Sequence, residues 1–355
     1  MADPDAERQD GAAAFPPSVL LLAPLLQMMA AKTLYAAAEL GIADLLATGP
    51  RSTGELAERT GTDAPSLRRL LHALTGQGIL TETGTGTDRY ALTESGQPLR
   101  TDAPDSIRST LLMACGPETS RSWDRLVPSL RTGTPGWDLA HGMSWTEYYA
   151  RNPGRAAIFN RSQAEHTRDA APGILAAADF GRFREVADIG GGDGTLLTHI
   201  LRAHDDLRGV LFDVRTGLAG ADATLAAAGV GERCRVVAGD FFGEVPDGAD
   251  AYLLKEILHD WDDEQSMAIL RSVRAAIPPG GRLLLVERTL PDRPVAGFDE
   301  THWYLRDLLM LVVTGGRERT ENEFRLLLKS AGFNADRFSD PFPPFGYRLI
   351  EALPA

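Results

Sequence analysis

The hydrophobic positions of the chain change period near residue 184. Before that point apolar residues recur at helical spacing. Leu34, Ala37, Ala38, Leu40 and Leu45 predict one helix and its continuation, and Leu67, Leu70, Leu71 and Leu74 share one face of a helix opened by Ala64-Pro65-Ser66. Ser52 stands three residues before Glu55, the spacing of a capping box, and predicts a short helix between these two. Residues 78–83 and 89–93 flank a turn-rich 84–87 and predict a two-stranded wing. Residues 105–180 read as largely helical, with a loop at 133–136. Beyond 184, short apolar runs alternate with amphipathic stretches, predicting strands at 185–189, 210–213, 235–238, 251–254 and 282–287. Helices are predicted near 195–203, 219–228 and 263–277, the last burying Ile269, Leu270, Val273 and Ile277. Such alternation predicts an α/β fold with a parallel, doubly wound sheet covered on both faces.

The domain organisation read from these patterns is a disordered tail over 1–15, a winged-helix-like packing or dimerisation domain over 16–105, a helical linker over 106–180 and an α/β domain over 181–355. Residues 1–15 are acidic and rich in Ala and Gly, without the basic start and cleavage site of a signal peptide. The apolar run 19–31 is too short to span a bilayer and is interrupted by Pro24 and Gln27; it predicts a helix buried against the rest of the fold or against a second subunit. The formal net charge of −13 disfavours nucleic acid and anionic membranes as partners. Cys115 and Cys234 lack metal-ligand spacing, no metal cluster is visible, and a cytoplasmic protein is expected.

In a doubly wound sheet, ligands gather outside the carboxyl ends of the strands, and each predicted strand ends in a residue with chemistry. The first runs into Gly190-Gly191-Gly192-Asp193-Gly194-Thr195, a G-x-G-x-G turn that fails the dinucleotide spacing because Thr195 occupies the third glycine position. The second ends in Asp213, which suits either a ribose diol or the cap of the next helix. The third ends in Gly239-Asp240-Phe241-Phe242, a carboxylate beside an aromatic ring, matching an adenine edge and face. The fourth leads to Lys255 and then His259-Asp260-Trp261-Asp262-Asp263-Glu264, which places His259 in a strand-to-helix connection where a general base would stand. The fifth ends in Glu287, and a further carboxylate, Glu318, follows Gly315-Gly316-Arg317; together they could orient the imidazole. Trp123, Trp137, Trp145, Tyr148, Tyr149 and Phe159 enrich the helical segment in aromatics, which read first as core.

Asp188-Ile-Gly-Gly-Gly-Asp-Gly, Gly239-Asp-Phe-Phe, Leu258-His-Asp-Trp-Asp-Asp-Glu and Gly316-Arg-Glu-Arg-Thr-Glu-Asn-Glu-Phe together resemble the class I S-adenosylmethionine-dependent O-methyltransferases of small molecules. These include plant phenolic and actinobacterial polyketide and antibiotic methyltransferases, and the resemblance covers nearly the whole chain. It implies a Rossmann-like catalytic domain, a homodimer formed through the N-terminal domain, and S-adenosylmethionine as cofactor. Gly190 and Gly192 would line its methionine and ribose side, Asp213 would bind the ribose, Asp240 and Phe241 the adenine, and Lys255 would lie near it. By the same likeness His259 is the general base, flanked by Glu287 and Glu318, and removes the proton of a phenolic hydroxyl; His259→Ala would leave substantial activity on an already acidic phenol. Phe159, Asn160 and Met310 match acceptor-pocket positions. Gln163 stands where many relatives have Met, which points to a polar acceptor group such as a quinone or carboxyl oxygen. The competing readings keep the fold and cofactor but methylate carbon, hydroxylate or decarboxylate, or use a metal-dependent catechol mechanism. A ligand-sensing DNA-binding regulator is disfavoured by the charge, since the presumed recognition helix offers only Arg68, Arg69 and His72.

Overall fold

The computed structural model describes residues 16–355, so the tail expected at 1–15 lies outside the described residues. The chain forms two compact units, the first ending at Leu111 and the second beginning at Leu112. In the first, the capping box closes as its sequence requires. Ser52 Oγ accepts from the Glu55 amide at 3.2 Å, and Glu55 Oε2 accepts from the Ser52 amide at 2.7 Å. This starts the helix Thr53–Thr60. Asp63 caps the next helix, Ala64–Gly76, by accepting from the Ser66 amide at 2.9 Å. That helix buries Leu67, Leu71 and Leu74, with Leu70 partly buried beside them. The wing strands Leu80–Glu82 and Arg89–Leu92 pair antiparallel, and a two-residue strand, Arg51–Ser52, which the sequence did not reveal, adds a third. Arg68 is held by Asp88 through Nε and Nη2, both at 3.1 Å.

The apolar run after Val19 corrects one expectation. It enters the helix Ala23–Glu39, yet Leu21 and Leu26 are 78% and 70% exposed and Leu22, Leu25, Met28 and Met29 are exposed too. Burial against the rest of its own unit is thus not seen, while the alternative expectation, burial against a second subunit, stands. No helix among the described residues is long and apolar enough to cross a membrane.

The second unit opens with helices and then alternates as expected. Helix α1 spans Pro153–Ala177; strand β1 is Glu185–Ile189, α2 Thr195–Ala203, β2 Arg208–Asp213, α3 Ala221–Ala227 and β3 Cys234–Ala238. Strand β4 is Ala251–Lys255, α4 Asp263–Ala276, β5 Arg282–Glu287, α5 Phe298–Val313, α6 Glu321–Ser330, β6 Phe333–Phe338 and β7 Arg348–Pro354. The sheet order is β6-β7-β5-β4-β1-β2-β3. Strands β1 to β5 are mutually parallel, whereas β7 pairs antiparallel with both β5 and β6. The sheet is thus mixed rather than wholly parallel, and its two last strands were not read from the sequence.

Period-two alternation splits each central strand between two cores. Ala187, Ile189, Val210, Phe212, Tyr252 and Leu254 face α4 and α6, meeting Ile269, Leu270, Val273, Phe324 and Leu328. Val186, Leu211, Ala251, Leu253, Leu284 and Val286 face α1 and α2, meeting Ala170, Ile174, Leu197 and Ile200. With both faces buried, the strands present only their ends to ligand. The chain order reverses between the neighbours β1 and β4, and the carboxyl ends of these two strands carry the glycine turn and the His259 turn.

Candidate active site

The glycine turn after β1 has φ of 74° at Gly190, 59° at Gly192 and 80° at Gly194, the left-handed region that glycine enters without strain. The amides of Gly190 and Gly191 donate to the Phe212 carbonyl at 2.8 and 3.2 Å, tying the turn to β2. A Cβ on Gly191 would sit 2.7 Å from the Asp188 carboxylate, and one on Gly190 would run into Ile257. At Gly192 the space where a Cβ would stand is open. Asp213 Oδ2 accepts from the Gly192 amide at 2.8 Å and Oδ1 from the Val214 amide at 2.6 Å. Its carboxylate faces the turn and does not cap α3, whose N-cap is Gly220. Asp188 beneath the turn is buried, and its Oδ2 has no hydrogen-bond partner among the described residues. Burial, with Asp213 nearby, pushes its carboxyl up to about 7.

These features fit a cationic, ribose-bearing ligand. Two carboxylates, Asp188 buried with an unpaired oxygen and Asp213 half-buried, lie beside bare backbone with room above Gly192. Gly192→Val is expected to cost about 1–2 kcal/mol in stability through its left-handed φ. It should also abolish measurable S-adenosylhomocysteine binding in a calorimetric titration; unchanged binding would place the ligand elsewhere.

After β3, Asp240 Oδ1 accepts from the Phe242 amide at 2.9 Å. The Phe241 ring packs edge-on to Trp261 with centroids 6.0 Å apart, and Phe242 does the same at 4.8 Å. Lys255 at the end of β4 places Nζ 2.6 Å from Glu256 Oε2, so its charge is already engaged.

His259 sits in a 3₁₀ turn, Leu258–Asp260, and is buried. Its Nδ1 lies 3.3 Å from Glu318 Oε1 and 3.9 Å from Glu287 Oε2, and its Nε2 lies 3.7 Å from Asp260 Oδ1. The structure thus brings His259, Glu287 and Glu318 together and adds Asp260, which the sequence reading did not single out. Glu287 also accepts the Leu258 and Ile257 amides on Oε1, at 2.9 and 3.2 Å, and the Glu318 amide donates to Asp307 of α5 at 2.9 Å. Burial alone would drive the imidazole down. The carboxylates of Asp260, Glu318 and Glu287 outweigh it and raise His259 to about 10. Burial lifts Asp260 to about 6 and Glu287 to about 7, whereas His259 holds Glu318 below the usual range against burial.

The three carboxylates therefore favour the charged imidazole over the neutral one, against the burial of the ring. The group's folded value lies above its unfolded one. Its stabilisation is accordingly complete below about 6.5 and is lost as pH rises through about 10. A histidine ring NMR titration should place the His259 midpoint far above that of an exposed histidine; a midpoint below 6.5 would contradict the arrangement.

Arg319, next to Glu318, holds the turn. Its guanidinium is buried and donates to the Leu258 carbonyl at 2.8 Å, the Trp261 carbonyl at 2.9 Å, Ser266 Oγ at 3.1 Å and Asp263 Oδ1 at 2.9 Å. The Arg317 amide donates to the His259 carbonyl at 2.9 Å. Sequence reading missed Arg319, because nothing local marks an arginine whose partners lie 53 to 61 residues away.

The expected acceptor residues divide. Phe159 on α1 stacks on Tyr149 at 4.9 Å and meets Trp145 at 5.8 Å, and Trp145 reaches Trp261 at 6.3 Å, so these aromatics form a wall running to the His259 turn. Trp137, in contrast, is core. Gln163 is half-buried on α1 and Met310 is buried on α5. Asn160 Nδ2 donates to the Thr216 carbonyl at 2.7 Å, which anchors its amide.

The O-methyltransferase domain model matches residues 123–334 and the O-methyltransferase dimerisation domain model residues 24–102. The chain is 40% identical over 343 residues to a phenazine O-methyltransferase of Lysobacter antibioticus, covering 97% of this chain and 98% of that one. It is 34% identical to the phenazine-1-carboxylate N-methyltransferase of Pseudomonas aeruginosa, covering 91% and 93%. Among solved structures it resembles an O-methyltransferase from neocarzinostatin biosynthesis, in complex with S-adenosylmethionine and 2-hydroxy-5-methyl naphthoic acid. The TM-score is 0.79 with 33% identity, covering 97% of this chain and all of that one. With a class I fold, a glycine turn flanked by Asp188 and Asp213, and both domain models matched, the chain belongs to the S-adenosylmethionine-dependent O-methyltransferase family.

Proposed function

We propose that the chain methylates a phenolic hydroxyl of an aromatic secondary metabolite, with His259 as the base. The observation that carries this reading is the buried imidazole held on its Nδ1 side by Glu318 and Glu287, beneath an aromatic wall. Bound S-adenosylmethionine supplies a sulfonium methyl, whose transfer to the acceptor oxygen leaves S-adenosylhomocysteine. Gly190 and Gly192 give its approach bare backbone, Asp213 takes the ribose hydroxyls, and Asp240 with Phe241 takes the adenine. Lys255 stands beside this group, restrained by Glu256.

Nδ1 keeps its proton toward Glu318, which leaves Nε2 to receive the phenolic proton. The sulfonium charge of a bound methyl donor would oppose the second proton on the ring. Asp260 and Glu287, both raised toward neutrality by burial, are the groups able to accept that proton. Holding the acceptor oxygen against the wall supplies a further part of the acceleration by orientation. The exposed apolar face of the helix Ala23–Glu39, together with the dimerisation-domain match, supports a homodimer.

The test is a panel of hydroxylated naphthoates and phenazines followed by mass spectrometry and NMR. An O-methyl product formed one-to-one with S-adenosylhomocysteine is expected. Methylation only at nitrogen or carbon, or a hydroxylated or decarboxylated product, would refute the reading.

A further inference from the structure

At the carboxyl ends of β4 and β5, three cations converge on one carboxylate. Glu256 follows β4 in left-handed backbone, φ 52°, and its side chain is buried. Lys255 Nζ lies 2.6 Å from its Oε2 and Arg288 Nη1 2.6 Å from its Oε1, whereas Arg306 Nη2, from α5, comes only within 3.8 Å of that Oε1. Arg288 has further partners: Nε donates to the Phe345 carbonyl at 3.1 Å, and the guanidinium lies 4.1 Å from the Tyr347 ring centre. Arg306 has none of comparable quality. Its Nε is buried without an acceptor among the described residues. The nearby Glu287 and Glu318 are committed to His259 and its turn. Three positive charges thus share one carboxylate, and the shortage of negative charge falls on Arg306, whose side chain is 30% exposed where Lys255 and Arg288 are buried. Burial and the neighbouring cations pull both Arg306 and His166 of α1 below their ordinary range, the same shortage read another way.

The position of these groups points to the ligand. Arg306 stands one helical turn before Met310 on α5, and His166 stands one turn after Gln163 on α1. Arg306 and His166 therefore continue the two helix stretches that carry the expected acceptor residues, and the Phe159–Tyr149–Trp145 wall is the apolar end of the α1 stretch. We propose that Arg306, backed by Arg288 and Lys255, forms a carboxylate-binding subsite at the ligand edge of the sheet, taking the carboxylate of an aromatic hydroxy acid acceptor. The inference rests on the methyltransferase reading. The methionine carboxylate of the methyl donor has the same chemistry, so the test separates the two sources.

Wild type, Arg306→Met and Arg306→Lys, loaded with S-adenosylhomocysteine, are titrated with 1,4-dihydroxy-2-naphthoate and with its carboxamide; S-adenosylhomocysteine affinity is measured separately. Wild type is expected to bind the acid about tenfold or more tightly than the amide, Arg306→Met to erase the difference, and Arg306→Lys to keep part of it. If instead Arg306→Met weakens S-adenosylhomocysteine about tenfold, and wild type does not discriminate acid from amide, the subsite stands with the donor's carboxylate as its ligand. If Arg306→Met and Arg306→Lys change neither quantity, the subsite is overturned. The proposed function fails on a different result, the absence of any O-methylated product, whatever Arg306 does.

Discussion

Replacing His259 with Gln is expected to lower kcat about 10²- to 10⁴-fold on a phenol of ordinary acidity. The affinity for S-adenosylhomocysteine should change little. Gln preserves volume and a hydrogen bond toward Glu318 but cannot take a proton. Its effect should fall on kcat, because the proposed role of the imidazole is proton transfer and His259 lies outside the 190–194 glycine turn. Loss of the imidazolium also removes the charge that opposes Glu318, Glu287 and Asp260, which lie 3.3, 3.9 and 3.7 Å from the ring. In the variant these acids should take up protons themselves, so the fold should survive near neutral pH. Steady-state kinetics with a calorimetric titration of S-adenosylhomocysteine checks both halves. A fall in cofactor affinity equal to the fall in kcat would mean that His259 holds ligand and is no base.

Arg319→Met should be the most destabilising single change near the site, by about 3–5 kcal/mol, because it breaks a buried charged network by removing one partner. Arg319 is 1% exposed, and its loss removes its hydrogen bonds at 2.8–3.1 Å, leaving the Leu258 and Trp261 carbonyls with only the longer Ser266 Oγ contacts at 3.2 and 3.4 Å and, for Leu258, the Trp261 amide at 3.3 Å. The same guanidinium fixes the turn that carries His259, and its neighbour in sequence is Glu318, so histidine and carboxylate are set by one segment. Urea unfolding gives the stability loss. Arg319→Lys should recover only part of it, since an ammonium cannot reach four acceptors in a plane. In whatever fraction remains folded, kcat should fall while S-adenosylhomocysteine binding stays near wild type. A stability change under 1 kcal/mol would show that the turn holds without the clamp.

Much of this site was legible because it lies at strand ends. An apolar run followed by Gly190, Asp213, Asp240 or His259 announces both the strand and the place where its chemistry must stand. The glycine spacing and the acids carried the cofactor reading in the same way. What stayed hidden depends on distance along the chain. Arg319 is unremarkable until folding brings it to the 258–261 turn. Asp260 was visible as a neighbour of His259, but only the 3₁₀ turn places its carboxylate on the Nε2 side. Strand β7 was obscured by Glu351, a charge in a buried strand, which the fold tolerates because Arg182 and Arg282 pair with it at 2.6 and 3.1 Å. The apolar run after Val19 was legible as a helix, while burial against its own unit is not seen. Asn160 was read as an acceptor contact, whereas its hydrogen bond to the Thr216 carbonyl, 56 residues away, was not visible in the sequence.

The central claim, methyl transfer to a phenolic oxygen whose proton goes to His259, is tested most directly by the ratio of wild-type to His259→Gln kcat across phenols of graded acidity at fixed pH. The ratio should be large for phenols that are neutral at the assay pH and fall toward one for those already ionised, since a phenolate has no proton to give. A ratio that stays constant across the series would contradict the account.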